Sequence, residues 1–252
     1  MSLLLTFVVF ALGALGCGGE AQSPATQSTT NPPPANQSPA TPSTASSETP
    51  SAMADSSAAV DSEPAPVRIV VLGDSLAAGL SLEEEQAFPA LVEEALVEQG
   101  LDVEVINAGV SGDTSAGGLR RLDWMLRQDP DIVVVELGGN DGLRGLPVEE
   151  TESNLRGIIQ RSQQAGARVL LTGMQIPSNY GPEYTEKFTA VYPRLAEELD
   201  VALMPFLLEG VALDPTLNLP DRIHPNPAGH RIIAENLLPY LEPLVREELG
   251  EE

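Results

Sequence analysis

Two pairs of side chains in this sequence have the types and spacing of a hydrolytic site. Asp74 and Ser75 stand side by side where an apolar run ends, in VVLGDSLAAG at residues 70–79. Far along the chain, the segment DRIHPN places Asp221 three residues before His224. A serine hydroxyl becomes a strong nucleophile when a histidine takes its proton and a carboxylate orients that histidine. The chain therefore contains the groups that acyl transfer to water requires.

Each pair also has an ordinary structural interpretation. Asp and Ser are favoured N-cap residues, so a lone Gly-Asp-Ser more often begins a helix than carries a nucleophile. The protein has two histidines, and His230 lies in the amphipathic stretch AGHRIIAEN, where it is predicted to be a helix residue. Asp221 and the turn at Pro225 favour His224 as the general base. The role of Asp74 stays open between a helix cap and a support for the serine turn.

Two further segments offer hydrogen-bond donors of the kind that stabilise a developing oxyanion. NAGVSGDTS at 107–115 contains Gly112, whose amide no side chain shields, and GGND at 138–141 contains the side-chain amide of Asn140. Taken singly, the first segment can equally cap the following helix. The second can equally form a turn built from Gly, Asn and Asp.

Strand and helix patterns alternate from Val67 onward and must position these side chains. The apolar runs RIVVLG, DVEVINAG, DIVVVELGG, RVLLTGM and VALMPF predict five strands, and the pieces between them have helical length and period. Gly100 and Gly166 stand where two of the helices are expected to end. Strict alternation predicts a parallel sheet with helices on both faces. The candidate site residues should then lie near its carboxyl edge, where such folds bind ligands.

Together these segments resemble one family, the SGNH hydrolases, also called GDSL esterases and lipases. GDSL at 73–76, Gly112, GGND at 138–141 and the Asp-x-x-His of 221–224 match the four blocks of that family in order. The stretches NAGVSGDTSAGGL, GGNDGLRG and DRIHPN look most like the branch with thioesterase I, protease I and lysophospholipase L1 activities and the related arylesterases. The resemblance covers roughly residues 67–247.

The resemblance implies a fold, a mechanism and a set of residues. The fold is a flavodoxin-like three-layer α/β/α sandwich with a five-stranded parallel sheet, over residues 67–252. Ser75 would be the nucleophile, His224 the general base and Asp221 the carboxylate that fixes the histidine tautomer. The oxyanion hole would consist of the Ser75 amide, the Gly112 amide and the Asn140 side chain. The reaction would be hydrolysis of carboxylic esters or thioesters through an acyl-enzyme, without a metal or an organic cofactor.

The substrates implied are small-molecule esters and thioesters of fatty acids, including lysophospholipids, with a mobile loop, LRGLP at 143–147, shaping the acyl pocket. Acyl-CoA is a cytoplasmic metabolite, so an exported protein favours the esterase or lysophospholipase role over the thioesterase role. Two alternatives stay open, namely a carbohydrate O-acetylesterase and a non-catalytic tethered binding domain. The presence of all four motif residues counts against the second.

The first 66 residues predict export followed by a tether. Residues 2–16 form an apolar stretch of 15, which is short for a membrane span and typical of a signal-peptide core. Residues 1–17 end in ALGC, which resembles the lipobox of bacterial lipoproteins with Cys17 as the lipidated residue. Residues 18–66 are rich in Pro, Ser, Thr and Ala, which predicts a disordered tether. We therefore expect a bacterial cell-envelope lipoprotein, periplasmic or on the outer membrane and held by its lipid, or otherwise a secreted protein.

The amino-acid composition limits the classes of partner that the protein is expected to bind. The formal net charge is −24, and five of those charges lie in residues 1–66, which leaves −19 on the remainder. So acidic a chain argues against nucleic-acid binding and against electrostatic attraction to an anionic membrane. Cys17 is the only cysteine, so no intramolecular disulfide can form. No histidine and cysteine cluster has metal-site spacing, and no obligate protein partner is evident.

Overall fold

A computed structural model describes residues 65–251 of the chain. The predicted signal peptide at 1–17, Cys17 and nearly all of the predicted tether at 18–66 lie outside the described residues. Among residues 65–251, no helix is both long enough and apolar enough to cross a membrane.

Five parallel strands form one sheet, as the sequence predicts, and their order in the sheet is β2-β1-β3-β4-β5. The apolar runs supply them because strands that are covered on both faces read as near-continuous Val, Ile and Leu. The strands are β1 Val67–Gly73, β2 Val103–Gly109, β3 Ile132–Glu136, β4 Arg168–Thr172 and β5 Ala202–Met204. The central strand β3 is buried at every position, and its last residue is an acid.

Helices cover both faces of the sheet, which gives the three-layer α/β/α sandwich that the resemblance implied. Helix α1 packs against α7 on one face, and α2, α4 and α6 pack in a row on the other. The helices are α1 Phe88–Glu98, α2 Ser115–Leu126, α3 Gly139–Leu143, α4 Val148–Gln164, α5 Pro182–Thr189, α6 Val191–Leu199 and α7 Pro227–Leu249. Two short 3-10 helices span Glu84–Gln86 and Ser178–Tyr180.

Helix boundaries agree with the prediction in some places and differ in others. Gly100 and Gly166 follow α1 and α4 with φ of 83° and 94°, the left-handed conformation expected at helix ends. The long amphipathic stretch before β5 is two helices that meet at Ala190. The segment GGND does not form a simple turn, because a five-residue helix, α3, begins at Gly139.

The segment after β1 also differs from a helix N-terminus. Ser75 begins a hydrogen-bonded turn in which the Ala78 amide donates to the Asp74 carbonyl at 3.0 Å and the Leu80 amide donates to the Ser75 carbonyl at 3.1 Å. The first regular element after β1 is the 3-10 helix at Glu84–Gln86. The nucleophile candidate is therefore held by a turn and not by a helix cap.

Candidate active site

Three strand exits meet at the carboxyl edge of the sheet. Gly73 at the end of β1 pairs with Gly109 at the end of β2 and with Glu136 at the end of β3. A Cβ on Gly109 would lie 2.2 Å from the backbone nitrogen of Ala78, so only glycine lets the β2 exit approach the turn after β1 so closely. The segments that carry Ser75, Gly112 and Asn140 all begin at this edge.

Ser75, His224 and Asp221 form a continuous hydrogen-bonded chain. The distance between Ser75 Oγ and His224 Nε2 is 3.0 Å, and the distance between His224 Nδ1 and Asp221 Oδ2 is 2.7 Å. Ser75 is nearly buried, whereas the side chain of His224 is partly open to solvent. This arrangement allows the imidazole to take a proton from the serine while the carboxylate holds its other nitrogen.

A local loop fixes Asp221 and His224 relative to each other. Oδ1 of Asp221 accepts the amides of Ile223 at 2.9 Å and His224 at 3.0 Å, which closes a turn over the intervening residues. These two amides and the His224 ring lower the pKa of Asp221 to about 2, so its carboxylate is ionised at any ordinary pH. Just beyond, the side chain of Asn226 caps α7 by accepting the amides of Ala228 and Gly229.

Backbone amides at the same edge are free to bind a substrate oxygen. Among residues 65–251, neither the Ser75 amide nor the Gly112 amide donates a hydrogen bond. Gly112 has a φ of +80°, which a residue with a side chain rarely adopts. Its carbonyl accepts a hydrogen bond from Arg144 Nη2 at 2.8 Å, so the loop from β3 holds the loop from β2 in place.

Asp74 links the serine turn to Asn140. Its Oδ1 accepts the Leu76 amide at 3.0 Å, and its Oδ2 accepts one hydrogen of the Asn140 side-chain amide at 2.8 Å. The second hydrogen of that amide is left to donate to a substrate. Burial raises the pKa of Asp74, while these two donors act in the opposite direction. Asp74 thus supports both the turn and the asparagine, and it makes no hydrogen bond with His224.

Comparison with known proteins gives the family. Residues 71–232 match the GDSL-like lipase/acylhydrolase family. The chain belongs to this family of ester hydrolases. Its resemblance to the SGNH hydrolases is thereby confirmed, and the matched range contains every site residue described above.

Named relatives of this hydrolase include enzymes of the expected branch. It is 46% identical to the esterase TesA of Pseudomonas aeruginosa over 178 residues, and this matched region covers 70% of this chain and 89% of TesA. It is 45% identical over 181 residues to thioesterase 1/protease 1/lysophospholipase L1 of Escherichia coli, with coverages of 71% and 86%. A crystal structure of the psychrotrophic esterase EstA from Pseudoalteromonas sp., inhibited by monoethylphosphonate, has a TM-score of 0.68 and 36% identity and covers 71% of this chain and 99% of EstA.

Two buried carboxyls at this edge of the hydrolase were not assigned a role from the sequence. Asp141 accepts the amide of Ser115 at 2.8 Å and its hydroxyl at 2.5 Å, so it joins α3 to the start of α2. Glu136 accepts amides of the serine turn. The available signal was position, because Glu136 directly follows the apolar residues of β3 and Asp141 lies five residues further along the chain. No cluster of three or more His, Cys, Asp or Glu side chains that could hold a metal ion occurs within residues 65–251.

His230 lies in α7, as predicted, and has a structural contact. Its Nδ1 accepts the amide of Phe88 at 3.1 Å, the first residue of α1, and its ring stacks on the Phe88 ring. Burial lowers the pKa of His230 to about 4, and the neighbouring His224 adds to this effect. The neutral ring joins α7 to α1 and makes no hydrogen bond with Ser75.

Asp74→Asn is expected to lower kcat by about 100- to 1000-fold, the usual effect of losing one oxyanion donor. The new amide can still accept the Leu76 amide, but it then turns a donor toward Asn140, which loses its anchor. Steady-state kinetics on p-nitrophenyl butyrate measure the change. Asp131→Asn is a matched control, since Asp131 accepts the Arg68 amide at the opposite edge of the sheet. A kcat for Asp74→Asn within twofold of the control would contradict this role.

Stability is expected to fall with acidity through His230. The unfolded chain binds a proton at this ring below a pKa of 6.5, whereas the folded protein binds it only near 4, so the stabilisation is complete above pH 6.5 and is lost as the pH falls toward 4. Between pH 7.5 and 5 this residue should account for about 2 kcal/mol of the loss in unfolding free energy. Urea unfolding of the wild type and of His230→Gln at both pH values measures it. An unchanged pH dependence in the variant would refute the assignment.

Proposed function

We propose that this chain hydrolyses carboxylic esters through an acyl-enzyme on Ser75, with a tethered esterase or lysophospholipase as its biological role. The observation that carries the proposal is the hydrogen-bonded chain from Ser75 Oγ through His224 to Asp221, at an edge where two amides are free. Membership of the family and the names of the relatives support the same chemistry.

In the proposed mechanism, Ser75 Oγ attacks the ester carbonyl while His224 Nε2 takes the hydroxyl proton. The His224 Nδ1 hydrogen donates to Asp221, which remains ionised throughout. The Ser75 amide, the Gly112 amide and the free amide hydrogen of Asn140 receive the oxyanion of the tetrahedral intermediate. His224 then gives the proton to the departing alcohol, and a water molecule activated in the same way releases the acid.

An apolar acyl chain fits the surroundings of the site. Val110, Leu143 and Ile223 are exposed apolar side chains, and each lies within three residues of Gly112, Asn140 or His224 in the sequence. The loop at 143–147 is held at both ends, because the hydroxyls of Tyr180 and Tyr184 donate to the carbonyls of Leu143 and Leu146. These features favour fatty acyl esters over acetylated sugars.

Activity on p-nitrophenyl esters of increasing chain length tests the substrate class. Each methylene that becomes buried should raise kcat/KM about fourfold until the pocket is filled. We therefore expect medium-chain esters to exceed acetate by more than tenfold, and lysophosphatidylcholine to release fatty acid. Leu143→Ser should reduce the preference for long acyl chains. Leu213→Ser should not reduce it, because Leu213 is an exposed side chain that is not among the three apolar side chains named above. Activity that peaks at acetate would favour an O-acetylesterase instead.

A fluorophosphonate probe tests catalysis against simple binding. The activated hydroxyl of Ser75 should displace fluoride and form a covalent adduct, which peptide mass spectrometry can assign to residues 67–79. A folded wild-type protein without labelling would support a non-catalytic binding domain and contradict the proposal.

We further propose that the protein is exported and anchored through a lipid on Cys17. Support comes from the sequence alone, namely the apolar stretch 2–16 and the ALGC that ends it. Mass spectrometry of the mature N-terminus should find acyl groups on Cys17, and Cys17→Ala should move the protein from the membrane fraction to the soluble fraction. An unmodified Cys17 in the membrane fraction would contradict the anchor.

A further inference from the structure

Glu136 is a carboxylic acid buried directly beneath the serine turn. It is the last residue of β3 and is 0% exposed. Its Oε2 accepts the amide of Asp74 at 3.0 Å and the amide of Ala77 at 3.2 Å, on either side of Ser75. Its Oε1 is buried and has no hydrogen-bond partner among the described residues. A single carboxyl oxygen from the neighbouring strand thus holds both ends of the segment that carries the nucleophile.

The fit between this carboxyl and the turn requires the glycine of the GDSL motif. A Cβ on Gly73 would lie 2.4 Å from Oε2 of Glu136 and 2.5 Å from the Cβ of Ala77. Real Cβ atoms do not approach other atoms so closely, so any side chain there would push Glu136 and the turn apart. Gly73 and Glu136 are paired across adjacent strands in the sheet register. The glycine and the acid are therefore two parts of one packing arrangement.

Burial and the neighbouring carboxyl of Asp74 favour the neutral form of Glu136. Asp74 faces it from the exit of β1, Arg121 from α2 and Tyr192 from α6. Burial raises the pKa of Glu136 well above its usual range and Asp74 raises it further, while the two amide donors and Arg121 act against them. The Arg121 guanidinium is itself taken up by Asp113 and by the carbonyls of Gly73 and Ala108. An unpaired second oxygen costs less in a neutral carboxyl than in a buried carboxylate, which also favours the protonated form.

We propose that Glu136 is a positioning residue for Ser75: its neutral carboxyl accepts the amides of Asp74 and Ala77 and thereby fixes the turn that presents the nucleophile. The proposal rests on the proposed role of Ser75. Neutrality matters because the oxyanion develops beside the Ser75 amide, and an ionised carboxylate beneath that amide would oppose it. A neutral carbonyl oxygen orients the turn without this opposition.

Glu136→Gln tests the neutral form directly. Glutamine can place its carbonyl oxygen on the two amides and its NH2 group where the acid holds its hydroxyl, so it reproduces the protonated acid in shape and charge. We expect kcat within about twofold of the wild type, and the acidic limb of the kcat/KM profile at the same pH in both proteins. If Glu136 were ionised, the substitution would remove a negative charge near the catalytic base, and the acidic limb would move to lower pH. Such a displacement, or a large loss of kcat, would overturn the proposal.

Glu136→Met tests the positioning role. Methionine is of similar size but cannot accept either amide, so the turn should shift and kcat should fall by about 100-fold, with KM within about threefold. The rate of fluorophosphonate labelling should fall by the same factor. Thr172→Val is the matched control, because it removes an equally buried hydroxyl that donates to the Val135 carbonyl one strand away. It should lower stability without lowering kcat.

The outcomes separate this proposal from the proposed function. If the wild type neither hydrolyses esters nor reacts with the probe, the proposed function fails. If the wild type is active and Glu136→Met matches Thr172→Val in kcat, the positioning role alone fails. Near-UV circular dichroism checks that each variant is folded at the assay temperature. Should Glu136→Met be unfolded there, its kcat and its labelling rate are compared with those of Thr172→Val at a lower temperature, at which both variants are folded.

Discussion

Ser75→Ala is expected to lower kcat on p-nitrophenyl butyrate by about 10⁶-fold, the scale on which serine hydrolases lose turnover when the nucleophile is removed. Without the hydroxyl no acyl-enzyme forms, and the remaining amides can only polarise the ester for direct attack by water. Covalent labelling by a fluorophosphonate should disappear in the same variant. Stopped assays at high enzyme concentration, with a blank for spontaneous hydrolysis, measure the residual rate.

Ser162→Ala provides the control for the loss of a serine hydroxyl. Ser162 is buried in α4, and its hydroxyl donates to the Ile158 carbonyl, far along the chain from the site segments. Its substitution should leave both kcat and labelling unchanged. A Ser75→Ala protein that retained more than about 1% of the wild-type kcat would show that another group is the nucleophile.

The order of strands and helices could be predicted because burial determines it. The run IVVVE of β3 is covered on both faces, so nearly every residue in it must be apolar, and the pattern is plain in the sequence. The amphipathic stretch before β5 has helical period along its length, and the structure divides it into two helices at Ala190. The apolar faces of α5 and α6 both point to the core, and periodicity alone does not show where the axis changes direction.

Ser75, Gly112 and Asn140 could be predicted to lie together because each follows a strand, and parallel strands end at one edge. Asp221 and His224 lie well beyond β5, and their place at the site came from their spacing and from the resemblance. The sequence could not show how the serine turn is held. The amide of Asp74 donates a hydrogen bond to a carboxyl that lies 62 residues away in the chain, and the amide of Leu76 donates to the side chain of Asp74 itself. Such contacts depend on sheet register and side-chain direction, neither of which leaves a local pattern. The role of Asp74 was open in the sequence for the same reason.

The loop from Asp221 to His224 leads to the second large prediction. Oδ1 of Asp221 is committed to the amides of Ile223 and His224, and only Oδ2 faces the ring. In Asp221→Asn the side-chain oxygen must stay with the two amides, because they are donors. The NH2 group then faces Nδ1 of His224 and stabilises the tautomer that carries its proton on Nε2. That nitrogen can no longer accept the Ser75 proton.

We expect Asp221→Asn to lower kcat by about 10⁴-fold with little change in KM, as is typical when the base is held in the wrong tautomer. Asp214→Asn is the matched control, since Asp214 also closes a local turn by accepting the amide of Thr216 but lies outside the site. Both variants should fold alike, because the loop geometry survives in each. A kcat for Asp221→Asn within tenfold of the wild type would mean that the carboxylate does not set the tautomer. His224 would then be oriented by the backbone of its loop alone, through its amide and its carbonyl, which accepts the Leu219 amide at 2.7 Å.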